Sequence, residues 1–413
     1  VELNTLILKN AIWRGSFYLT SIILNIAMVR MLGATLSGQL YFLLNNLSLA
    51  LLLGSISLES GITYYISKGQ LAENQLAVFS ALWATAVSVV ISSLFFVLYT
   101  HNRVAGNDFF FFACVCFCLG NIMNSYFGAF FYTQTNYRTP NLVAIVANLL
   151  LLFCIPWTQP WLGFIDTNVF LIIFFAMNIL QGLAVCGFWF AKAKYPRLES
   201  PRASSLAPAL KYGTAALLGN VMYFVLYRID YWFVEYYCSP KALGNYIQVS
   251  RVCQLLILPC VIMAGTLFPE SSKAKFSFET PAFRKLAKLI VAGYSLIALG
   301  IWILGRPIIL FLWGADYDQM YEPLMLTMPG VLFLGISYLF SPTFAGKGSI
   351  TYNVIISFLS LIVVLIANFV LVPVWGINGA ALATTIGFAA MMILYFIFAA
   401  VKYQFSFRTL FGN

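Results

Sequence analysis

Charge is what this sequence has least of. Asp, Glu, Lys and Arg make up 9% of its 413 residues, against 62% hydrophobic residues. A soluble domain needs roughly a quarter of its residues charged to solvate its surface, so most of this surface does not face water. Histidine is scarcer still, with His101 alone in the chain. One imidazole and few acids within apolar stretches leave membrane-embedded hydrolase or transferase chemistry without its usual groups. No Gly-Lys-Ser/Thr loop has the spacing that cradles nucleotide phosphates. Phe344-Ala345-Gly346-Lys347-Gly348-Ser349 is superficially similar, but it lacks that spacing and opens an apolar run. The reading is therefore of a protein that is not an enzyme, has no cofactor and is not driven directly by ATP. Eight cysteines are present, but Cys114, Cys116 and Cys118 at spacing two scatter around one helix. They read as free thiols packed among helices, not as a metal site.

What the chain has in abundance is long apolar runs. The mean hydropathy is +0.89, and runs of about 20 residues recur throughout, each long enough to cross the ~30 Å hydrocarbon layer as a helix. A β-barrel is the other spanning solution and needs short segments that alternate apolar and polar residues. Stretches 76–99 and 352–372 do not alternate. The expected fold class is all-α: a polytopic integral membrane protein of about twelve transmembrane helices in two six-helix bundles. The spans fall at about 11–32, 39–66, 76–99, 108–132, 141–162, 168–191, 209–236, 243–268, 287–312, 322–345, 352–373 and 377–401. The first run follows Lys9 at full spanning length, so it reads as helix one and not as a cleavable signal.

The formal net charge of +10 does not point to nucleic acid, because of where it lies. Lys9, Arg14, Lys68, Arg138, Lys192, Lys194, Arg197, Arg202, Lys211, Lys273, Lys275, Arg284, Lys285, Lys288, Lys347, Lys402 and Arg408 fall at the two ends or around every second loop. The alternate loops mix Arg30, Arg103, Lys241 and Arg306 with Asp108, Asp166, Glu235, Asp316, Asp318 and Glu322. This is the positive-inside pattern. It places both termini in the cytoplasm, with an even number of spans.

The longest basic, Pro- and Ser-containing stretch between spans is 193–210, at the chain midpoint. It divides the chain into an N-terminal bundle (1–195), a cytoplasmic linker (196–208) and a C-terminal bundle (209–413). The halves look weakly alike. Leu36-Ser37-Gly38-Gln39-Leu40-Tyr41 after helix one matches Ala242-Leu243-Gly244-Asn245-Tyr246 after helix seven, and a cation opens helix five (Arg138) and helix eleven (Lys347). Two repeated bundles that rock about a central cleft are a common transporter plan.

Ionisable groups inside spans are costly unless they face a cavity or a partner, so each is a candidate. In helix one, Arg14, Tyr18, Ser21 and Asn25 make one stripe, and in helix two Asn45, Ser48, Ser55 and Glu59 make another. Helix seven offers Asn220, Tyr223, Tyr227 and Asp230 in one arc, and helix eight carries Gln248 and Arg251. Arg14, Glu59, Arg228, Asp230 and Arg251 would then line a cleft between the halves. Each has a plainer reading. Arg14 is near a helix end, where it can snorkel. Arg228 and Asp230 do not share a face on an ideal helix, so either is placed to pair with a neighbouring helix instead. The substrate- or ion-binding candidates are Arg14, Asn25, Asn45, Glu59, Tyr227, Arg228, Asp230 and Arg251.

Three stretches carry a family resemblance: Arg30-Met31-Leu32-Gly33 with Gly38-Gln39-Leu40-Tyr41; Arg228-Ile229-Asp230 through Leu243-Gly244-Asn245-Tyr246 to Leu267-Phe268-Pro269; and Asn368 to Pro373 with Trp375-Gly376-Ile377-Asn378-Gly379-Ala380-Ala381-Leu382-Ala383-Thr384. With these the chain resembles the polysaccharide exporters, the Wzx-type O-antigen flippases of the multidrug/oligosaccharidyl-lipid/polysaccharide (MOP) exporter superfamily. The resemblance implies the MOP flippase fold and movement of an undecaprenyl-diphosphate-linked oligosaccharide between leaflets by alternating access. It further implies a coupling ion (H+ or Na+), membrane lipid around the chain, and a polysaccharide polymerase and chain-length regulator as assembly partners, with no nucleic acid. Cationic side chains would hold the diphosphate, and Tyr, Asn and Gln would meet sugars. A cation-coupled multidrug exporter of the same superfamily is the alternative, with Asp230 or Glu59 as its ion site. Peptidoglycan-precursor flippases resemble the chain too, but usually carry two further helices. A non-transporting assembly partner would not require the embedded charges.

Overall fold

The computed structural model describes residues 3–68, 73–101, 108–155, 167–192, 203–272 and 276–405. The described chain is almost wholly helical. Its elements are α1 (Leu3–Ser55), α2 (Leu58–Ser67), α3 (Glu73–His101), α4 (Asp108–Thr133), α5 (Arg138–Cys154), α6 (Thr167–Lys192), α7 (Ala203–Leu226), α8 (Ile229–Tyr237), α9 (Pro240–Ser272), α10 (Pro281–Leu312), a 3-10 turn (Ala315–Met320), α11 (Tyr321–Gly346) and α12 (Ile350–Tyr403).

Among the described residues, nine helical segments are long and apolar enough to cross a membrane, and Arg138–Cys154 is a shorter apolar helix. Two of the nine are double-length, Ile12–Ser55 and Ile350–Tyr403. Each is interrupted at a single glycine with non-helical backbone, Gly33 (φ 72°, ψ 169°) and Gly376 (φ 54°, ψ −132°). With these two counted as two crossings each and Arg138–Cys154 added as one, the described residues give twelve. The protein is an all-α polytopic membrane protein, as its apolar runs require.

Details differ from the sequence reading in ways with a physical cause. Loops were expected at 33–38 and 374–376, but a single residue in a region open essentially to glycine interrupts the helix, which resumes at once. The second and seventh spans were expected to be continuous. Instead the helix breaks at Ile56 and Ser57, both left-handed (φ 53° and 49°), and again at Tyr227 and Arg228 (Arg228 φ −138°). The expected end of the fifth helix, at 156–162, lies outside the described residues, as do residues 196–202 of the midpoint linker. Residues 203–208 open α7, with Pro208 within its first turns.

The chain forms two compact units, one of Val1–Met31 with Leu43–Val221 and the other of Leu32–Phe42 with Met222–Asn413. In the first, α4 packs on α2, α3 and α6, around the buried rings of Tyr126, Phe127, Phe130, Phe131 and Trp189. In the second, α11 is the central helix, against α9, α10 and α12, and α8 lies on α12. Phe278, Phe283, Phe340 and Phe344 form its aromatic core.

Candidate transport sites

The second unit holds Arg228 and Asp230, and the break between α7 and α8 decides where each points. Arg228 sits in the break, so the 100° rotation per residue of an ideal helix does not separate it from Asp230. Its guanidinium donates to the Tyr231 hydroxyl (2.8 Å) and to Gln254 Oε1 of α9 (3.1 Å), and lies 5.1 Å from the Tyr231 ring centre. Asp230 is the second residue of α8 and 3% exposed. There the unpaired N–H groups of a helix start favour a carboxylate. The Tyr246 hydroxyl of α9 donates to its Oδ2, and the Thr384 hydroxyl of α12 donates to the same oxygen at 3.3 Å. Oδ1 has no hydrogen-bond partner. Arg228 and Asp230 therefore each bind a neighbouring helix, with no ion pair between them within 4 Å. A cavity of about 30 Å³ lies beside the acid, lined by Tyr227, Asp230, Tyr246, Gln254, Thr327 and Thr384 among others.

Two further candidates share this unit. The Arg251 guanidinium lies 3.8 Å from the centre of the Tyr41 ring, and its Nε has no hydrogen-bond partner. Tyr227 stacks at 4.4 Å on Tyr223, and both hydroxyls reach that of Tyr338, at 3.3 and 2.8 Å. The three rings line a second cavity of about 100 Å³ with Ser337, Asn353 and Tyr395. Gln248 accepts from the Trp313 indole (3.4 Å).

The first unit holds the other four. A non-glycine residue in the left-handed region costs about 1–2 kcal/mol, so the break at Ile56 and Ser57 needs support. It has several partners. Tyr126 donates to Ser55 O (2.8 Å), Trp83 to Gly54 O (3.0 Å), Asn220 to Ser57 Oγ (3.0 Å), and Ser57 N to Ser55 Oγ (3.2 Å). The break starts α2, whose second residue is Glu59. Thus the two embedded acids, Glu59 and Asp230, occupy the same position, one residue into a helix that restarts inside a span.

Glu59 lines a pocket of about 600 Å³ with Thr63, Tyr64, Asn124, Tyr132 and Tyr212. Arg14 is exposed, its guanidinium 4.9 Å from the Tyr132 ring. Asn45 is buried, with an unpaired Nδ2, and Asn25 is half-buried. Ser48 and Ser55, from the expected stripe of helix two, bond carbonyls of their own helix. These two hydroxyls are thus satisfied within the helix.

The sequence reading missed Tyr246, Thr384, Gln254, Tyr231 and Tyr338 as partners. Tyr246 and Thr384 do lie inside stretches that carried the family resemblance, which was the available signal. Among the described residues no group of three His, Cys, Asp or Glu side chains is placed to hold a metal.

No protein-family model matches the chain. Among curated proteins it is similar to the probable low-salt glycan biosynthesis flippase Agl15 of Haloferax volcanii, 22% identical over 248 residues, which are 55% of this chain and 50% of that protein. It is also similar to the capsular polysaccharide biosynthesis protein CapF of Staphylococcus aureus, 29% identical over 133 residues, 32% of this chain and 33% of that one. The chain thus spans half the length of the first and a third of the second. Among solved structures, the inward closed lipid II flippase MurJ superposes with a TM-score of 0.70 at 15% identity, covering 97% of this chain and 89% of MurJ. An outward-facing multidrug resistance MATE family transporter (0.66, 16%, covering 97% and 95%) and a MOP superfamily transporter from Pyrococcus furiosus (0.66, 15%, covering 97% and 95%) have the same fold. The chain has the all-α fold of the MOP superfamily transporters, and its sequence resembles those of a probable glycan biosynthesis flippase and a capsular polysaccharide biosynthesis protein.

Proposed function

We propose that this chain is a flippase that carries an undecaprenyl-diphosphate-linked oligosaccharide, a repeat unit of O-antigen or a related surface polysaccharide, across the bacterial inner membrane. It works by alternating access, with two six-helix halves (1–195 and 209–413) and both termini in the cytoplasm. The observation that carries the proposal is that Arg228 and Arg251 lie in membrane-spanning helices with no carboxylate within 4 Å among the described residues, held instead by Tyr231, Gln254 and Tyr41. Arg228 feels the charge of Asp230 two residues away but makes no salt bridge to it, and Arg251 has no carboxylate within 4 Å among the described residues. Embedded cations so placed are costly and suit an anionic head group such as a diphosphate. Similarity to a probable glycan biosynthesis flippase and to a capsular polysaccharide biosynthesis protein supports the saccharide part of the cargo.

Asp230 favours coupling to H+ or Na+, since it is a buried carboxylate with one unpaired oxygen and two hydroxyls beside it. The same feature favours a second reading, a cation-coupled multidrug exporter. Deleting the gene and analysing lipid-linked intermediates separates the two. The flippase reading requires accumulation of the lipid-linked repeat unit on the cytoplasmic side and loss of surface glycan. Normal glycan with altered drug sensitivity would establish the exporter. Co-purification with a polysaccharide polymerase and chain-length regulator tests the assembly partners.

A further inference from the structure

We infer that the pocket of the first unit around Glu59 is a saccharide subsite, which takes a neutral sugar ring of the cargo and not its diphosphate; the inference rests on the flippase reading above. The pocket, at about 600 Å³, falls in the range of roughly 300–1,000 Å³ usual for small-molecule sites. Its lining joins flat rings to hydrogen-bonding groups. Tyr64 and Tyr212 stack at 4.5 Å with 14° between their planes, and Tyr132 adds a third ring. Glu59, Thr63 and Asn124 supply oxygens, and Asn124 Oδ1 is buried with no hydrogen-bond partner. A carboxylate accepts several hydrogen bonds at once, as vicinal sugar hydroxyls demand, while the C–H faces of a pyranose pack on aromatic rings.

Charge selects among occupants. Glu59 is the one ionisable carboxylate or amine lining the pocket, and no Lys or Arg among the described residues lies within 4 Å of its carboxylate. A diphosphate would be repelled by the Glu59 carboxylate, which no salt bridge among the described residues neutralises. A cationic drug is disfavoured for a different reason, since two tyrosine walls already carry cations. Lys68 Nζ hydrogen-bonds the Tyr64 hydroxyl at 2.5 Å and sits 4.1 Å from its ring centre, and the Arg14 guanidinium is 4.9 Å from that of Tyr132. Lys68 and Arg14 repel a further cation, while among the described residues no cation lies on the Tyr212 ring, which is left for the C–H face of a sugar. A neutral polyhydroxyl ring meets neither objection.

The test uses the purified full chain in lipid nanodiscs and two probes: the polyprenyl-linked saccharide extracted from a strain lacking the chain, and undecaprenyl diphosphate. Wild type should bind the saccharide-bearing lipid about tenfold or more tightly than the bare diphosphate, the scale of losing a hydrogen bond to a charged group. Glu59→Gln and Tyr212→Leu should erase that preference and leave binding of the bare diphosphate unchanged. Tyr212→Phe, which keeps the ring, should retain it. Wild-type preference with undiminished preference in Glu59→Gln and Tyr212→Leu overturns the subsite alone, as does equal loss for both probes. Absence of any wild-type preference overturns the flippase reading with it. Tighter binding of tetraphenylphosphonium to wild type than to Glu59→Gln, without saccharide preference, assigns the pocket to cations instead.

Discussion

Gly38 of α1 and Gly244 of α9 meet backbone to backbone. A Cβ added at Gly38 would lie 2.7 Å from the Gly244 nitrogen and 2.8 Å from its Cα. These are the two glycines that occupy matching places in the weakly repeated halves of the sequence, and within the second unit they are one contact. Nearby, Ser37 bonds the Tyr317 hydroxyl at 2.6 Å, so the bend after Gly33 is fixed from two directions.

This contact has no room for a side chain. Gly38→Val or Gly244→Val should lower the thermal stability of the detergent-solubilised protein by the ~1–3 kcal/mol of an overpacked core, or prevent its accumulation. Gly219→Ala is the control. It lies within α7 with nothing within 4 Å of an added Cβ, and should be neutral or stabilising by up to ~1 kcal/mol. Equal melting temperatures for Gly38→Val, Gly244→Val and wild type would contradict the contact.

Asp230 and Tyr246 form the buried pair nearest the proposed ion site. Asp230→Asn keeps the shape of the side chain and should yield a folded, inserted protein that no longer responds to an imposed ion gradient in proteoliposomes. Tyr246→Phe leaves Oδ2 with the Thr384 hydroxyl alone, and should cost ~1.5–3 kcal/mol of stability for the lost hydrogen bond to a carboxylate. Unaltered gradient dependence in Asp230→Asn would remove the residue from coupling.

Arg228 and Gln254 offer a pairwise measurement. A double-mutant cycle of Arg228→Ala and Gln254→Ala on stability should give a coupling of ~0.5–3 kcal/mol. Arg228→Lys should not restore transport lost in Arg228→Ala, because a point charge cannot reproduce a planar fork that bonds Tyr231 and Gln254 together. Additive single effects, or full rescue by lysine, would show that the fork is idle.

The Arg251–Tyr41 stack predicts a pattern, not one value. Tyr41→Leu should destabilise by ~0.5–2 kcal/mol through loss of the cation–π contact, whereas Tyr41→Phe keeps the ring face and should stay near wild type. If phenylalanine and leucine behave alike in thermal melts, the ring face contributes nothing.

Much of the architecture was legible in the residues. Apolar length placed most spans close to a helix, the expected end of the fifth lying outside the described residues, whereas the interruptions at Gly33 and Gly376 were expected only as loops. The site was legible only in part. Asp230, Glu59, Arg228 and Arg251 stood out because ionisable groups are rare in apolar runs. Their partners did not, since Tyr246 and Thr384 are unremarkable in a chain with 23 tyrosines and reach Asp230 only through the way α8, α9 and α12 pack.

By itself, the sequence determined the helices, because hydropathy and span length act locally and each segment must satisfy its own backbone within the bilayer. Only the tertiary structure decided where helices break inside spans. The left-handed pair Ile56 and Ser57 is held by Trp83, Tyr126 and Asn220, from three other helices. Such strain persists only where surrounding contacts impose it, and no local pattern announces contacts that distant. That is why Glu59 and Asp230 were visible as embedded acids, while their shared place at the start of a restarted helix was not.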